Sequence, residues 1–150
     1  LPSRPMPSLL SDRLAPLIAA FKKDDLGIVV DIVVIAAYAD GEIDAAELAA
    51  LREACEAAFG APMPEETARN YIEKSKAQIK AAGGDGFATQ VGKQLKARNM
   101  GEAALRVAFT VANASRGISD EERDRLVILG EGAGLSERAV LRIGQEIAPA

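Results

Sequence analysis

The sequence predicts an all-α protein, folded as a single compact helical domain of about seven or eight helices. Alanine, the strongest helix former, occurs 29 times in 150 residues. Apolar residues recur at helical spacing, as at Leu48, Leu51, Cys55 and Phe59, with charged residues between them. The chain is 49% hydrophobic and 27% charged, which is the balance of a folded domain rather than of a disordered chain.

The helices are predicted in order along the chain. Residues 1–10 read as a Pro-rich leader or linker, and the first helix lies within residues 11–23, with Pro16 bounding or kinking it. Residues 28–35 are β-branched and would suit a buried strand, but we interpret them as a buried helix because their counterpart in the repeat described below favours helix. The remaining helices are predicted at residues 45–59, 65–82, 87–98, 102–115, 120–132 and 137–147.

The chain contains an internal repeat. A shift of 75 residues aligns residues 37–47 with residues 112–122, and Leu51 then meets Leu126. Each copy has the pattern of a buried helix, a short turn and an amphipathic helix. We therefore predict two pseudo-symmetric αα-hairpins that pack face to face, the first at about residues 26–60 and the second at about residues 102–135.

The first repeat turn, residues 40–47 (DGEIDAAE), is the densest cluster of oxygen ligands in the chain. It matches the second half of a calcium-binding EF-hand loop, with Gly41 at the sharp turn and Glu47 at the final bidentate position. The first half of that loop is missing, so a standard EF-hand is excluded. Helix capping is the alternative: Asp44 with Glu47, and Ser119 with Glu122, have capping-box spacing. Capping leaves Asp40 and Glu42 without a role.

Charge is distributed unevenly along the chain. Residues 31–66 carry nine acids and one basic residue, whereas residues 67–100 carry seven basic residues and two acids. This pattern predicts separate acidic and basic faces. We call the following residues the basic band: Lys74, Lys76, Lys80, Lys93, Lys96 and Arg98. With Phe87 the one aromatic residue among them, and with a net charge of -4 for the chain, we predict no nucleic-acid partner.

The composition excludes much catalytic chemistry. Histidine is absent, which removes the commonest general base and the commonest zinc ligand, and Cys55 is the single cysteine. We therefore predict no enzymatic activity and no small-molecule substrate. The longest apolar run is too short to span a membrane, so we expect a cytoplasmic protein. Because the chain begins with Leu, we also expect it to be part of a longer protein.

The two turns and the repeat resemble the TerB family of bacterial tellurite-resistance proteins, over residues 26–147. The resemblance rests on residues 39–48 (ADGEIDAAEL), 102–108 (EAALRVA) and 117–123 (GISDEER). It implies an all-helical TerB-like domain at residues 11–150 with no known enzymatic activity. It also implies a role in resistance to tellurite and other stresses, divalent-cation binding by acidic residues, and protein partners at the inner face of the membrane.

The family's acidic positions are matched by Asp40 and Glu47 in the first copy and by Glu122 in the second. The second copy has Ser115 where the other Asp would be and Arg116 where the glycine would be. Both differences weaken cation binding, since they act on the same local potential.

Two functional hypotheses follow. In the first, Asp40, Glu47 and Glu122 converge on calcium, zinc or magnesium, with Glu42 and Asp44 as weaker candidates nearby. In the second, the domain is a metal-free interaction module that uses its acidic or basic face to bind other proteins. Either version would be cytoplasmic, with peripheral contact to the membrane as an additional expectation.

Overall fold

A computed structural model describes residues 6–38, 43–116 and 118–147 of the chain. Over these ranges the protein forms eight α-helices, one 3-10 turn at Lys23–Asp25 and no strand, which confirms the predicted all-α class. The helices are α1 (Met6–Ile18), α2 (Leu26–Tyr38), α3 (Ala45–Phe59), α4 (Glu65–Ala82), α5 (Gly84–Ala97), α6 (Gly101–Arg116), α7 (Asp120–Gly132) and α8 (Glu137–Ile147).

Four helices, α3, α4, α7 and α8, have the bounds that the sequence predicts. The largest discrepancy is at the start of the chain, where α1 begins at Met6 and includes Pro16. The prediction of a leader over residues 1–10 is therefore wrong for residues 6–10, which are helical, while residues 1–5 lie outside the described ranges. Leu10 is buried against the core, and this contact explains why the helix extends into the predicted leader.

The β-branched segment is a helix, as predicted, and it lies at the centre of the molecule. In α2, the side chains of Val29, Val30, Ile32, Val33 and Val34 are at most 1% exposed. A helix that is apolar all round must be covered on every side. Helices α4 and α6 supply most of that cover, with smaller contacts from α5 and α7. Tertiary burial thus outweighs the strand preference of β-branched residues.

The packing of the helices follows a similar order in the two halves of the chain. In the first half α1 packs on α3 and α2 on α4, and in the second half α5 packs on α7 and α6 on α8. The two halves meet mainly where α1 and α2 pack on α6 and where α4 packs on α5. Within the described residues, α3 packs mainly on α1 and not extensively on α2. The predicted pseudo-symmetric αα-hairpin repeat stays a prediction.

The contact between α5 and α7 depends on glycine at the crossing point. A Cβ atom on Gly92 would lie 2.5 Å from the carbonyl oxygen of Leu129 and 2.9 Å from Cα of Gly132. Because both neighbours are backbone atoms, they cannot move aside as a side chain would. The two helices therefore approach more closely than an alanine at position 92 would allow.

Candidate functional site

The carboxylates of the first repeat turn start α3. Asp44 is the N-cap residue, and its Oδ1 accepts a hydrogen bond from the backbone N–H of Glu47 at 2.7 Å. In return, Glu47 Oε1 accepts a hydrogen bond from the backbone N–H of Asp44 at 3.1 Å. This is the predicted capping box, and it satisfies two backbone donors that a helix start otherwise leaves unpaired. Asp40 and Glu42 lie outside the described residues.

The second repeat turn starts α7 in the same way. The backbone N–H of Glu122 donates to Ser119 Oγ at 3.1 Å, and Glu122 Oε1 accepts from the backbone N–H of Ser119 at 3.3 Å and from Ser119 Oγ at 3.0 Å. Glu122 is only 4% exposed. The side chain therefore acts as a buried partner of the helix start, and the capping prediction is confirmed at this turn too.

These positions bear on the cation hypothesis. Helices α3 and α7 pack on different neighbours and have no extensive contact with each other within the described ranges. In the same ranges, no group of three or more Asp, Glu or Cys side chains could hold a metal ion. A helix N-terminus also carries partial positive charge, which stabilises Asp44, Glu47 and Glu122 without a cation. Because Asp40 and Glu42 are not described, convergence of Asp40, Glu47 and Glu122 on a cation, with Glu42 and Asp44 nearby, stays a prediction.

The basic band lies on α4 and α5, which pack on each other and are joined at Gly83. Lys80, Lys93 and Lys96 are exposed, and none of them forms an ion pair within the described part of the chain. Lys76 lies 3.9 Å from the Glu73 carboxylate. The band is thus a solvated surface across two helices, with its two remaining members directed to the cleft described next.

A polar cleft of about 250 Å³ lies between the start of α2 and the α4–α5 pair. Its walls contain carboxylates, cations, amides and one aromatic ring. The cleft is not among the sites predicted from the sequence. The lining residues are Asp24, Asp25, Gly27, Ile28, Asp31, Tyr71, Lys74, Gln78, Gln94 and Arg98. The one available signal was Asp31, the charged residue that interrupts the apolar run of α2.

Asp31 is a partly buried carboxylate of this cleft. It accepts a hydrogen bond from the hydroxyl of Ser75, a buried residue of α4. Burial raises the pKa of Asp31 above the ordinary value of 3.8, while the Ser75 hydrogen bond and the positive charge of Lys74 act in the opposite direction and only partly offset it. The ionised form of Asp31 is therefore less favourable in the folded chain than in water.

Arg98 is fixed at the edge of the cleft by two contacts. Its Nε donates to Asp25 Oδ1 at 3.1 Å, and its Nη1 donates to the carbonyl oxygen of Gln94 at 3.0 Å. The first contact joins the end of α5 to the 3-10 turn that precedes α2. The guanidinium group is thereby oriented before any ligand is present.

Cys55 has the environment of a structural thiol. It is 1% exposed on α3, and burial raises its pKa to about 11. A thiol with so high a pKa is almost entirely protonated at neutral pH and is a poor nucleophile. This agrees with the position of Cys55 on the apolar stripe predicted from the sequence.

Among the described residues, no helix is both long and apolar enough to span a membrane.

Comparison with known protein families gives one result. The family model described as "Tellurite resistance protein TerB" matches residues 28–145, which is most of the chain. The matched segment begins in α2 and ends in α8, so it includes both repeat turns and the polar cleft apart from Asp24, Asp25 and Gly27. Searches against curated proteins and against solved structures gave no significant match.

Proposed function

The chain belongs to the TerB family, and from this premise we propose that it acts in tellurite resistance and the stress response as a non-enzymatic domain that binds an acidic protein partner. The partner is expected to contact the exposed part of the basic band, Lys80, Lys93 and Lys96. The observation that carries the proposal is that these three lysines are exposed and form no ion pair within the described residues.

The electrostatics of this surface support a docking role. From Lys74 to Arg98 the chain has six basic residues and one acid, Asp85, although the whole chain has a net charge of -4. Local positive potential on a negatively charged protein accelerates association with acidic surfaces and loses strength as salt is added. The absence of histidine from the sequence supports the non-enzymatic part of the proposal.

The test compares two triple variants of equal net charge. In the first, Lys80, Lys93 and Lys96 are replaced by Glu; in the second, the exposed residues Lys22, Arg138 and Arg142 are replaced by Glu. We expect the first variant to lose the partners that the wild-type chain retains from a cell extract. The second variant should keep them, 0.5 M salt should release them, and a chelator should have no effect.

Anionic vesicles distinguish a protein partner from the membrane surface. We expect the wild-type chain to bind its protein partners more tightly than it binds phosphatidylglycerol vesicles. The reverse order, with the same dependence on the three lysines, would replace the protein partner with the inner face of the membrane. Equal retention of partners by both triple variants would contradict docking through the basic band.

Cation binding at the first repeat turn is the second candidate. It is favoured by one observation: the two capping boxes explain Asp44, Glu47 and Glu122, whereas Asp40 and Glu42 do not stand at capping-box positions of the sequence. In this version the domain binds calcium, zinc or magnesium through Asp40, Glu47 and Glu122, with Glu42 and Asp44 close by.

Cap-preserving substitutions separate the two roles of these carboxylates. Asp44→Ser and Glu47→Gln retain a capping box but remove both charges, while Asp40→Asn and Glu42→Gln remove the charges outside the box. Calorimetric titration with calcium, zinc and magnesium should give heat for the wild-type chain and none for the fourfold variant. Equal heats, or no heat in the wild-type chain, would reject the cation site.

A further inference from the structure

The polar cleft beside α2 carries charges of both signs on opposing walls. Asp31 belongs to α2, and Lys74 and Gln78 belong to α4. Gln94 belongs to α5, and Arg98 follows the last residue of that helix. These residues are far apart in the sequence, and they meet because α4 and α5 both pack on α2. None of them belongs to the repeat turns, although Arg98 is also the C-cap residue of α5. The cleft is therefore separate from the candidate cation site.

The fold does not need a carboxylate at position 31. The hydroxyl of Ser75 has a second acceptor, the carbonyl oxygen of Tyr71 at 3.0 Å, so it is satisfied without Asp31. Within residues 28–37, every other side chain of α2 is apolar and buried. A charged group in this position costs folding free energy, and such groups concentrate at binding sites.

The wall of the cleft opposite α2 carries two cationic side chains, and they differ in conformational mobility. Arg98 is held in place by Asp25 and by the carbonyl oxygen of Gln94. Lys74 is exposed at the edge of the cleft, close enough to Asp31 to influence its ionisation. A ligand would therefore meet a pre-oriented guanidinium group and a flexible ammonium group on one side, and a carboxylate on the other.

The remaining lining groups limit the size and shape of a ligand. Gln78 and Gln94 supply amides, each of which can donate and accept hydrogen bonds. The Tyr71 ring packs on the backbone of Gly27, since a Cβ atom there would lie 3.2 Å from Cε1 of the ring. With a volume of about 250 Å³, the cleft suits a molecule of amino-acid size rather than a nucleotide.

We propose that this cleft binds a small zwitterion of the amino-acid class, with the ligand's ammonium group on Asp31 and its carboxylate on Lys74 and Arg98. An anion alone would face Asp25 and Asp31, and a cation alone would face Lys74 and Arg98. A zwitterion places an opposite charge at each wall. The acids of the cleft form no metal-holding group within the described residues, so a bare metal ion is the poorer match.

Three probes of similar size test the class of ligand: L-serine, propylamine and propionate. Each is titrated into the isotope-labelled chain while amide resonances are followed by NMR. L-serine should shift the resonances of Gly27, Asp31, Ser75 and Gln94, with an affinity at least about tenfold higher than that of either singly charged probe. No shift with about 50 mM L-serine, or equal affinities for all three probes, would overturn the proposal.

Matched variants test the residues. Asp31→Asn and Lys74→Gln should each lower the affinity for L-serine about tenfold or more, while Lys80→Gln, on the same helix outside the cleft, should leave it unchanged. Unaltered thermal unfolding of Lys74→Gln shows that its loss of binding is not a loss of fold. If Asp31→Asn and Lys74→Gln bind L-serine as the wild-type chain does, the site is wrong. Docking uses Lys80, Lys93 and Lys96, so the two proposals fail independently.

Discussion

Asp31 is a charged residue on a helix whose other side chains are mostly buried in the core. Its neighbours in the cleft include groups that attract and groups that repel a negative charge. They come from the 3-10 turn, from α4 and from the C-cap of α5, and they are Asp24, Asp25, Tyr71, Lys74 and Arg98. Desolvation nevertheless has the largest effect on its ionisation, so the pKa of Asp31 is raised in the folded chain.

The raised pKa of Asp31 predicts a pH-dependent effect on stability. Because the unfolded chain ionises at lower pH than the folded chain, the contribution of Asp31 is most favourable below pH 3.8 and is lost as pH rises through its folded pKa. Asp31→Asn cannot ionise, so it avoids the stability lost when Asp31 ionises, and its amide oxygen can still accept a hydrogen bond from Ser75. The variant should therefore have a higher free energy of unfolding than the wild-type chain at pH 7, measured by urea denaturation.

The same comparison at acidic pH provides the check on this prediction. The difference between Asp31→Asn and the wild-type chain should shrink toward pH 3.8 and below, where the carboxylate is protonated in both states. Asp24→Asn, at an exposed residue of the same cleft, should show no comparable gain at pH 7. A variant at Asp31 that is less stable than the wild-type chain at pH 7 would show that the carboxylate is well solvated or well paired.

The capping boxes at the helix starts depend only on residues a few positions apart in the sequence. The capping box of α7 requires only Ser119, Glu122 and the backbone between them, so it could be predicted from spacing. Ser119→Ala should lower the free energy of unfolding by about 1 kcal/mol because a backbone donor loses its acceptor. Ser119→Asp keeps an acceptor and should retain most of the stability in the same urea titration. If Ser119→Asp lowers the free energy of unfolding as much as Ser119→Ala does, the Ser119 hydroxyl does not stabilise the chain as an acceptor at the start of α7.

The crossing of α5 and α7 gives a prediction about glycine. Gly92→Ala places a Cβ atom against the backbone of α7, so we expect a loss of about 2–3 kcal/mol or a chain that does not fold. Gly86→Ala, in the same helix, meets only the Ala82 side chain at 3.4 Å and should gain up to about 1 kcal/mol from helix propensity. Circular dichroism during thermal denaturation measures both. Equal effects would show that the helices can separate at no cost.

Across the whole molecule, the features that could be predicted from the sequence are those set by residues close to each other along the chain. The helices and both capping boxes follow from periodicity and from end residues that lie within a few positions of each other. The cleft could not be predicted, since the hydrogen bond from Ser75 to Asp31 joins residues 44 positions apart. An isolated Asp in an apolar run indicates that something polar lies nearby, but only the packing of α4 and α5 on α2 identifies it.

The extent of the core is a property of the whole chain, and it exceeds the segment that the family model matches. That match begins at residue 28, whereas α1 ends at Ile18. Leu14 and Ile18 are at most 1% exposed, and α1 packs on both α3 and α6. Helix α1 is therefore expected to be part of the cooperative fold rather than an appendage to the family domain.

Two leucines of α1 test this expectation. Leu14→Ala removes a buried side chain from the shared core and should lower the free energy of unfolding by about 2–5 kcal/mol. Leu9→Ala, at a residue that is 44% exposed, should cost about 1 kcal/mol or less. Urea denaturation of both variants measures the difference, with one transition expected in each. If Leu14→Ala unfolds like the wild-type chain, α1 does not contribute to the core, and the folded unit begins near the start of α2.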